Sequence, residues 1–362
     1  MKSLLVTGGA GFIGSGLVHR LLAVDPSVHV VTLDALTYAG STANLDNLPD
    51  LERHRFVRGD VRDGPLVLRL LRENAIDTIV HLAAETHVDR SIAGPAPFVQ
   101  TNLVGTFTLL EAARQAWLSE RVVDPGVCRF HHVSTDEVFG SLETDSPAAI
   151  EVTRYAPTSP YAAAKAGADH LAWSYWRTYG LPVSLSICSN NYGPRQFPEK
   201  LVPLVILNAT RGQTLPLYGD GLHMRDWLYV DDHCDALWRI LKLGRAGEAY
   251  NVCTGRGSTN LEIVRLICAT LDRLAPDSPY APHASLVRFV ADRPAHDRRY
   301  AMDASKLRQQ LGWAPCESLE GGLARTVQWY LDHSEWVAAS SHEEHRAWLE
   351  RNYRGRGMAG SS

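Results

Sequence analysis

Apolar and polar positions in the first half of the chain switch between two periods. Ser3-Leu-Leu-Val-Thr7 is a short run of β type, and Leu17, Val18, Leu21 and Leu22 follow at helical spacing. Between them lies Gly8-Gly9-Ala10-Gly11-Phe12-Ile13-Gly14, so the opening reads strand, glycine turn, helix. Val28 to Leu33 predicts a second strand running into Asp34, and Arg53 to Val61 a third that closes on Asp60-Val61. A helix over 63–73 and a fourth strand over 77–84 come next. Leu103, Phe107, Leu110 and Ala113 predict a long helix over 98–116, and 117–127 reads as a loop. A fifth strand at 130–133, an exposed loop at 140–160, a helix at 161–179 and a sixth strand at 182–187 complete this half. Pro160 suits the first turn of that helix and Gly180 its left-handed close. Strands alternating with helices predict an α/β fold built on a Rossmann-type, doubly wound parallel sheet.

From Asn190 the character changes. Tyr192-Gly-Pro-Arg195, Phe197-Pro-Glu-Lys200, Gly219-Asp-Gly221, Arg225-Asp226-Trp227 and the run from Asp292 to Tyr300 are turn-rich and mix aromatics with cations. Helices are expected over 201–211, 231–243, 260–274, 305–311 and 319–330. The expected division is a dinucleotide-binding domain over 1–188 that also carries the chemistry, then a smaller, mixed α/β substrate domain over 189–335 with some chain returning to the first. A C-terminal extension over 336–362 follows, its Gly-, Arg- and Ser-rich end from Arg351 expected to fray.

Composition narrows the class. A chain of 362 residues with 45% apolar residues can bury a full core. A net charge of −4 with both signs interspersed points away from nucleic acid and from a membrane surface. No stretch of 18 apolar residues occurs, and the glycines interrupt any leader-like run at the N-terminus. Six scattered cysteines without a CxxC pair read as reduced thiols, so a cytoplasmic location is expected. His81, His87, His131 and His132 lack ligand spacing with acids on one face, and no metal is expected. The tryptophans read as core residues, and Arg90 and Asp226 as structural partners.

The candidate chemistry starts at the glycine turn. A helix N-terminus behind such a turn accepts a pyrophosphate, and glycines let the backbone approach it. Asp34, at the end of the second strand, stands where an acid binds a ribose diol and repels a 2′-phosphate, which favours NAD over NADP. Further along, Thr135-Asp136-Glu137 closes the fifth strand. For both carboxyls to face one ligand the strand must stop there, because side chains in a continuing strand alternate. Two carboxyls in different surroundings can serve as acid and base. Tyr161 and Lys165, four apart, share a helix face, and an ammonium near a phenol lowers its pKa. The aromatic and cationic turns beyond 190 suit a nucleotide sugar.

On these motifs the chain resembles the extended short-chain dehydrogenase/reductases, and among them the dTDP-glucose 4,6-dehydratase family. The resemblance covers residues 2–335 and rests on TGGAGFIG (7–14), LDALTYAG (33–40), HLAAETHVDRSI (81–92), STDEVFG (134–140), SPYAAAK (159–165), CSNNYGPRQFPEKLVPLVI (188–206), LPLYGDGLHMRDWLYVDDH (215–233) and DRPAHDRRYAMD (292–303). Asp136 is the discriminating residue; epimerases, decarboxylases and GDP-mannose dehydratases of the superfamily usually lack it. The segment 117–127, the turn Cys253 to Gly257 and the tail depart from the commonest family text. The resemblance implies a hydro-lyase in deoxysugar biosynthesis with Thr135, Asp136, Glu137, Tyr161 and Lys165 catalytic. NAD would lie against Gly8, Gly11, Phe12, Ile13, Gly14, Asp34, Ala35, Leu36, Thr37, Asp60, Val61, Leu82, Ala83, Ala84, Thr101, Tyr161, Lys165 and Asn191. The nucleotide sugar, dTDP-glucose, would contact Thr86, Thr135, Asn190, Lys200, Leu201, Pro216, Leu217, Tyr218, Arg225, Asn260, Asp292, Arg293 and His296, with Lys200, Arg225 and Arg293 facing phosphate. It also implies a homodimer through the helices at 98–116 and 161–179. A UDP- or CDP-sugar dehydratase, an epimerase and a non-catalytic NAD-binding protein are the alternatives.

Overall fold

The computed structural model describes residues 1–340 and 343–354, with the side chains of 343–346 and 354 excepted. Its strands are β1 (Ser3–Thr7), β2 (His29–Asp34), β3 (His54–Arg58), β4 (Thr78–His81), β5 (Arg129–Thr135), β6 (Val183–Cys188), β7 (Asn190–Tyr192), β8 (Leu215–Tyr218), β9 (Met224–Tyr229), β10 (Ala249–Val252), β11 (Gly257–Thr259) and β12 (Val287–Val290). Seven of them form one parallel sheet in the order β10-β6-β5-β4-β1-β2-β3. The order runs outward in both directions from β1 and β4, so a crevice opens at their carboxyl ends.

Both faces of this sheet are covered, so its central strands are buried along nearly their whole length. Leu5, Ile79, Phe130 and Val183 point to one face and pack against Leu109, Ala113 and Trp117. Leu4, Val6, Val80 and Val133 point to the other and meet Leu17, Val18 and Leu21 of the helix Phe12–Val24. The helix Pro160–Tyr179 is N-capped by Ser159 and ends on Gly180 at φ +71°, a conformation glycine takes without strain.

The long helix runs past its expected end. From Ala96 to Ser119 it is continuous, with wider π turns at Val99–Val104 and Arg114–Ser119. Residues 117–119, expected in a loop, are therefore helical. Trp117 is the reason: its ring is fully buried and its indole N–H donates to the Ile76 carbonyl at 2.8 Å.

Beyond Cys188 the chain builds a second core, yet it does not separate from the first. Val205, Ile206, Leu215, Ile263, Ile267, Leu323 and Val327 cluster there, with β8 paired to β12 and β9 flanked by β7 and β11. Within this stretch the helix Val230–Leu243 packs on Phe12–Val24, and β10 adds the seventh strand to the large sheet. β7 and β9 lie in text read as turn-rich, and no strand was expected at β8, β10, β11 or β12. Val337, from the helix Ser334–Ser340, joins the second core. Residues 351–354, expected to fray, instead close the helix Glu343–Arg354; residues 355–362 lie outside the described residues. Among the described residues no helix is long and apolar enough to cross a membrane.

Candidate active site

A cleft of about 680 Å³ follows the crevice. Gly8, Gly11, Phe12, Ile13, Gly14, Asp34, Ala35, Thr37, Asp60, Val61, Leu82, Ala83, Ala84, Thr101, Asn191, Tyr161 and Lys165 line it, as do Thr135, Asp136 and Glu137. Of the residues expected around the dinucleotide, only Leu36 is not in its wall. A Cβ at Gly14 would overlap the Gly8 carbonyl, which is why that turn takes glycine. Asp34 has a structural duty as well: its carboxylate accepts from the amides of Ala10 at 2.9 Å and Leu36 at 2.8 Å, locking the turn onto β2. Thr101 reaches the cleft from the first π turn. There Asn102 grips the Glu85 backbone with both ends of its amide, at 2.9 and 3.0 Å.

A second cleft of about 170 Å³ adjoins the first and shares Thr86, Glu137, Asn190, Glu199 and Lys200 with it. Leu201, Pro216, Leu217, Tyr218, Arg225, Asn260, Arg293 and His296 line it. Asp292 does not. It stands behind, accepting from His296 Nδ1 at 2.6 Å and facing His223 Nε2 at 3.2 Å. The His223 and His296 rings stack 3.6 Å apart, 12° from parallel. The ligand atoms of His223, Asp292 and His296 lie within 4.8 Å of one another, a grouping that the sequence reading did not name. Of the three expected phosphate partners, Arg225 is already committed, donating to the carbonyls of Met224 and Asp297 while covering the Tyr300 ring at 4.1 Å. Lys200 Nζ donates to the Thr86 carbonyl at 2.9 Å, and the buried Arg293 Nε has no hydrogen-bond partner among the described residues.

The chemistry converges where the clefts meet. β5 ends at Thr135, and Asp136–Phe139 turns at once into a 3-10 helix capped by the Thr135 hydroxyl, so both carboxyls face inward. Asp136 is buried, with Thr135 Oγ1 donating to Oδ1 at 3.3 Å and Oδ2 without a partner among the described residues. Burial and the neighbouring Glu137 push its pKa well above the carboxylate range. Burial raises Glu137 too, but Arg293, Lys200 and Arg225 pull it back. The neighbours thus favour a protonated Asp136 beside a more readily ionised Glu137.

Tyr161 differs from expectation. Burial and the charge of Glu137 hold its phenol well above the usual range, offset by a hydrogen bond from Thr135. Lys165 is not aimed at it: Nζ is turned to the Val133 carbonyl at 2.7 Å and lies 3.3 Å from His132 Nε2. Burial lowers the pKa of Lys165, and Asp169 opposes that.

Some wall residues, Glu199 and Tyr353 among them, escaped the sequence reading, whereas Arg90 and Asp226 hold structure as expected. Glu199 accepts from Tyr38 at 2.8 Å and from Arg90 at 3.1 Å; its place beside Lys200 was the available signal. Arg90, read as structural, lies over the Tyr38 and Trp348 rings. Asp226, also read as structural, holds the 253–257 turn through the amides of Thr254, Gly255 and Arg256. Tyr353 lines the second cleft from the C-terminal helix, and nothing in its local sequence marks it. His81 and His131 are held by hydroxyls: Thr7 and Thr106 for the first, Ser184 and Ser186 for the second.

A phenol one helical turn before an ammonium, set over the crevice of a doubly wound sheet, is the arrangement of the extended short-chain dehydrogenase/reductases. Within that class the chain belongs to the GDP-mannose 4,6 dehydratase family, whose model it matches over residues 5–326. It is 47% identical over 361 residues to dTDP-glucose 4,6-dehydratase 1 of Escherichia coli (strain K12), covering 98% of this chain and 99% of that one. It is 52% identical over 337 residues to the dTDP-glucose 4,6-dehydratase of Xanthomonas campestris pv. campestris (strain B100), covering 93% and 95%. The solved dTDP-glucose 4,6-dehydratase of Streptomyces venezuelae, with NAD and dTDP bound, superposes with a TM-score of 0.85 at 48% identity, over 94% of this chain and all of that one.

Proposed function

We propose that this protein converts dTDP-glucose to dTDP-4-keto-6-deoxyglucose and water. The observation that carries the reading is the buried Asp136 beside Glu137 at the meeting of the two clefts. The long cleft fits NAD. Its glycine cradle has no room for a Cβ at Gly14, and Asp34 presents a carboxylate at the end of β2 where a ribose would lie. Gly11 to Ile13 would face the pyrophosphate, and Lys165 the nicotinamide ribose. NAD, when bound, supplies the redox chemistry, taking two electrons from C4 of the sugar and giving them back at C6.

The residues of the chain handle the protons. Tyr161, ionised once Lys165 turns from the Val133 carbonyl toward it, takes the proton of the C4 hydroxyl, and Thr135 orients that oxygen. The resulting 4-ketone acidifies C5. Glu137 removes the C5 proton while Asp136 gives its own to the departing C6 hydroxyl, which leaves as water. Glu137 then returns its proton to C5. The proton gained by Tyr161 and the one lost by Asp136 balance through solvent. Residues 1–188 form the cofactor domain in this reading and 189–335 the main substrate domain. Two copies pair through the helices at 96–119 and 160–179, and the reaction belongs to the cytoplasm.

The test is a panel of dTDP-, UDP-, CDP- and GDP-hexoses incubated without added reductant and followed by product mass. Loss of one water from dTDP-glucose supports the reading. Loss from UDP-glucose instead moves the nucleotide, and an unchanged mass with every sugar overturns the dehydratase.

A further inference from the structure

Lys165 meets its counter-charge across a buried imidazole. We propose that Asp169 and His132 are positioning residues that hold Lys165 as an ammonium and decide whether it is tied back or free to serve the cleft. The inference rests on the dehydratase reading above, since Lys165 works in that same site.

Asp169 lies one turn after Lys165 on the helix Pro160–Tyr179 and is fully buried. Its Oδ2 accepts from Ser134 Oγ at 2.7 Å and from Tyr155 OH at 3.0 Å. Its Oδ1 lies 3.0 Å from His132 Nε2 but outside hydrogen-bonding alignment, and that same nitrogen meets Lys165 Nζ at 3.3 Å. The other imidazole nitrogen, Nδ1, is buried without a hydrogen-bond partner among the described residues. Burial and the charge of Lys165 keep this histidine neutral.

One neutral nitrogen offers either a proton or a lone pair, not both. When Asp169 is a carboxylate, a tilt of the imidazole lets Nε2 carry the proton and donate it to Oδ1. Lys165 then keeps only the Val133 carbonyl and has N–H groups left for the cleft. When Asp169 is protonated it no longer draws a proton to Nε2, whose lone pair then turns to Lys165 as in the structure, and the ammonium is drawn back from the phenol. The carboxylate form thus acts in one direction twice: it releases Lys165 and supports its positive charge. Burial pushes Asp169 up to about 6, where this exchange falls within the working range of pH. The titratable groups facing Lys165 are Cys188, His132 and Asp169, with His81 behind His132; those facing Asp169 are Lys165, His132, Tyr155 and His170.

The experiment is a pH titration of the Lys165 Nζ resonance in ¹⁵N-lysine-labelled holoenzyme, assigned by its loss in Lys165→Arg, beside steady-state kinetics. In the wild type the resonance should inflect near pH 6 as Asp169 neutralises, and the inflection should persist in His170→Gln, which removes the imidazole packed on Tyr155. Asp169→Asn should lower the Lys165 pKa by about one unit or more. In the same variant kcat should fall about tenfold while KM stays within about twofold. A wild-type resonance without the inflection overturns the proposal, even where the variant does not fold. So does a folded Asp169→Asn with the wild-type titration and kcat. A wild type that dehydrates no sugar removes the functional reading instead, while the titration still decides the anchor.

Discussion

Asp136 and Glu137 are neighbours in sequence, yet their surroundings separate them. Glu137 faces the cations Arg293, Lys200 and Arg225, whereas Asp136 feels burial and its neighbour's charge first. Asp136→Asn should therefore still oxidise C4, seen as reduced-nicotinamide absorbance on adding sugar, but eliminate water slower by about 10²-fold or more. Elimination at the wild-type rate would remove Asp136 as the acid. Tyr161→Phe should block the first step, so rapid appearance of that absorbance would remove the phenol as base. The two raised carboxyls also set a pH dependence. Glu137 must be ionised to act, so elimination falls as pH drops through its raised pKa. Asp136 must be protonated, so elimination falls again as pH rises through its own. A single-turnover pH series should give a bell, and Asp136→Asn should lose its alkaline limb.

At the scale of elements, the site depends on where strands stop. β5 ends at Thr135 because the hydroxyl caps the next turn, and that ending brings both carboxyls inward. This was legible in sequence, as were the glycine turn, Asp34 and the helix opened by Pro160, because each is a local pattern with a local cause. The segments that close the second cleft were not. β9 and β11 pair through contacts distant in sequence, and Asp292 turned out to stand behind His296 rather than in the wall. Lys165 shows the same limit at one residue: its spacing to Tyr161 gave the shared face, but Val133 and His132 decide where the ammonium points. Asp226 offers a test of such a distant contact. It gathers three backbone amides and the hydroxyls of Ser189 and Thr254. Asp226→Ala should cost about 2–4 kcal/mol in denaturant unfolding, because it leaves buried donors unpaired. A loss within error of zero would show that water replaces it.

At the scale of the molecule, the helix 96–119 leaves Val99, Val104 and Phe107 exposed on its outer side. A second copy paired there would cover this stripe. Phe107→Glu should then shift sedimentation from dimer to monomer at micromolar concentration, and a variant that remains dimeric would place the contact elsewhere. The large sheet carries a different consequence. Its last strand, β10, is delivered by chain that has already entered the neighbouring core. A fragment stopping at residue 188 would hold the whole glycine turn and six strands, but β6 would become a bare edge, its amides and carbonyls open to the next chain. Such a fragment should aggregate rather than survive as a free cofactor-binding domain, and a protease cut between the cores should scar the protein without dividing it.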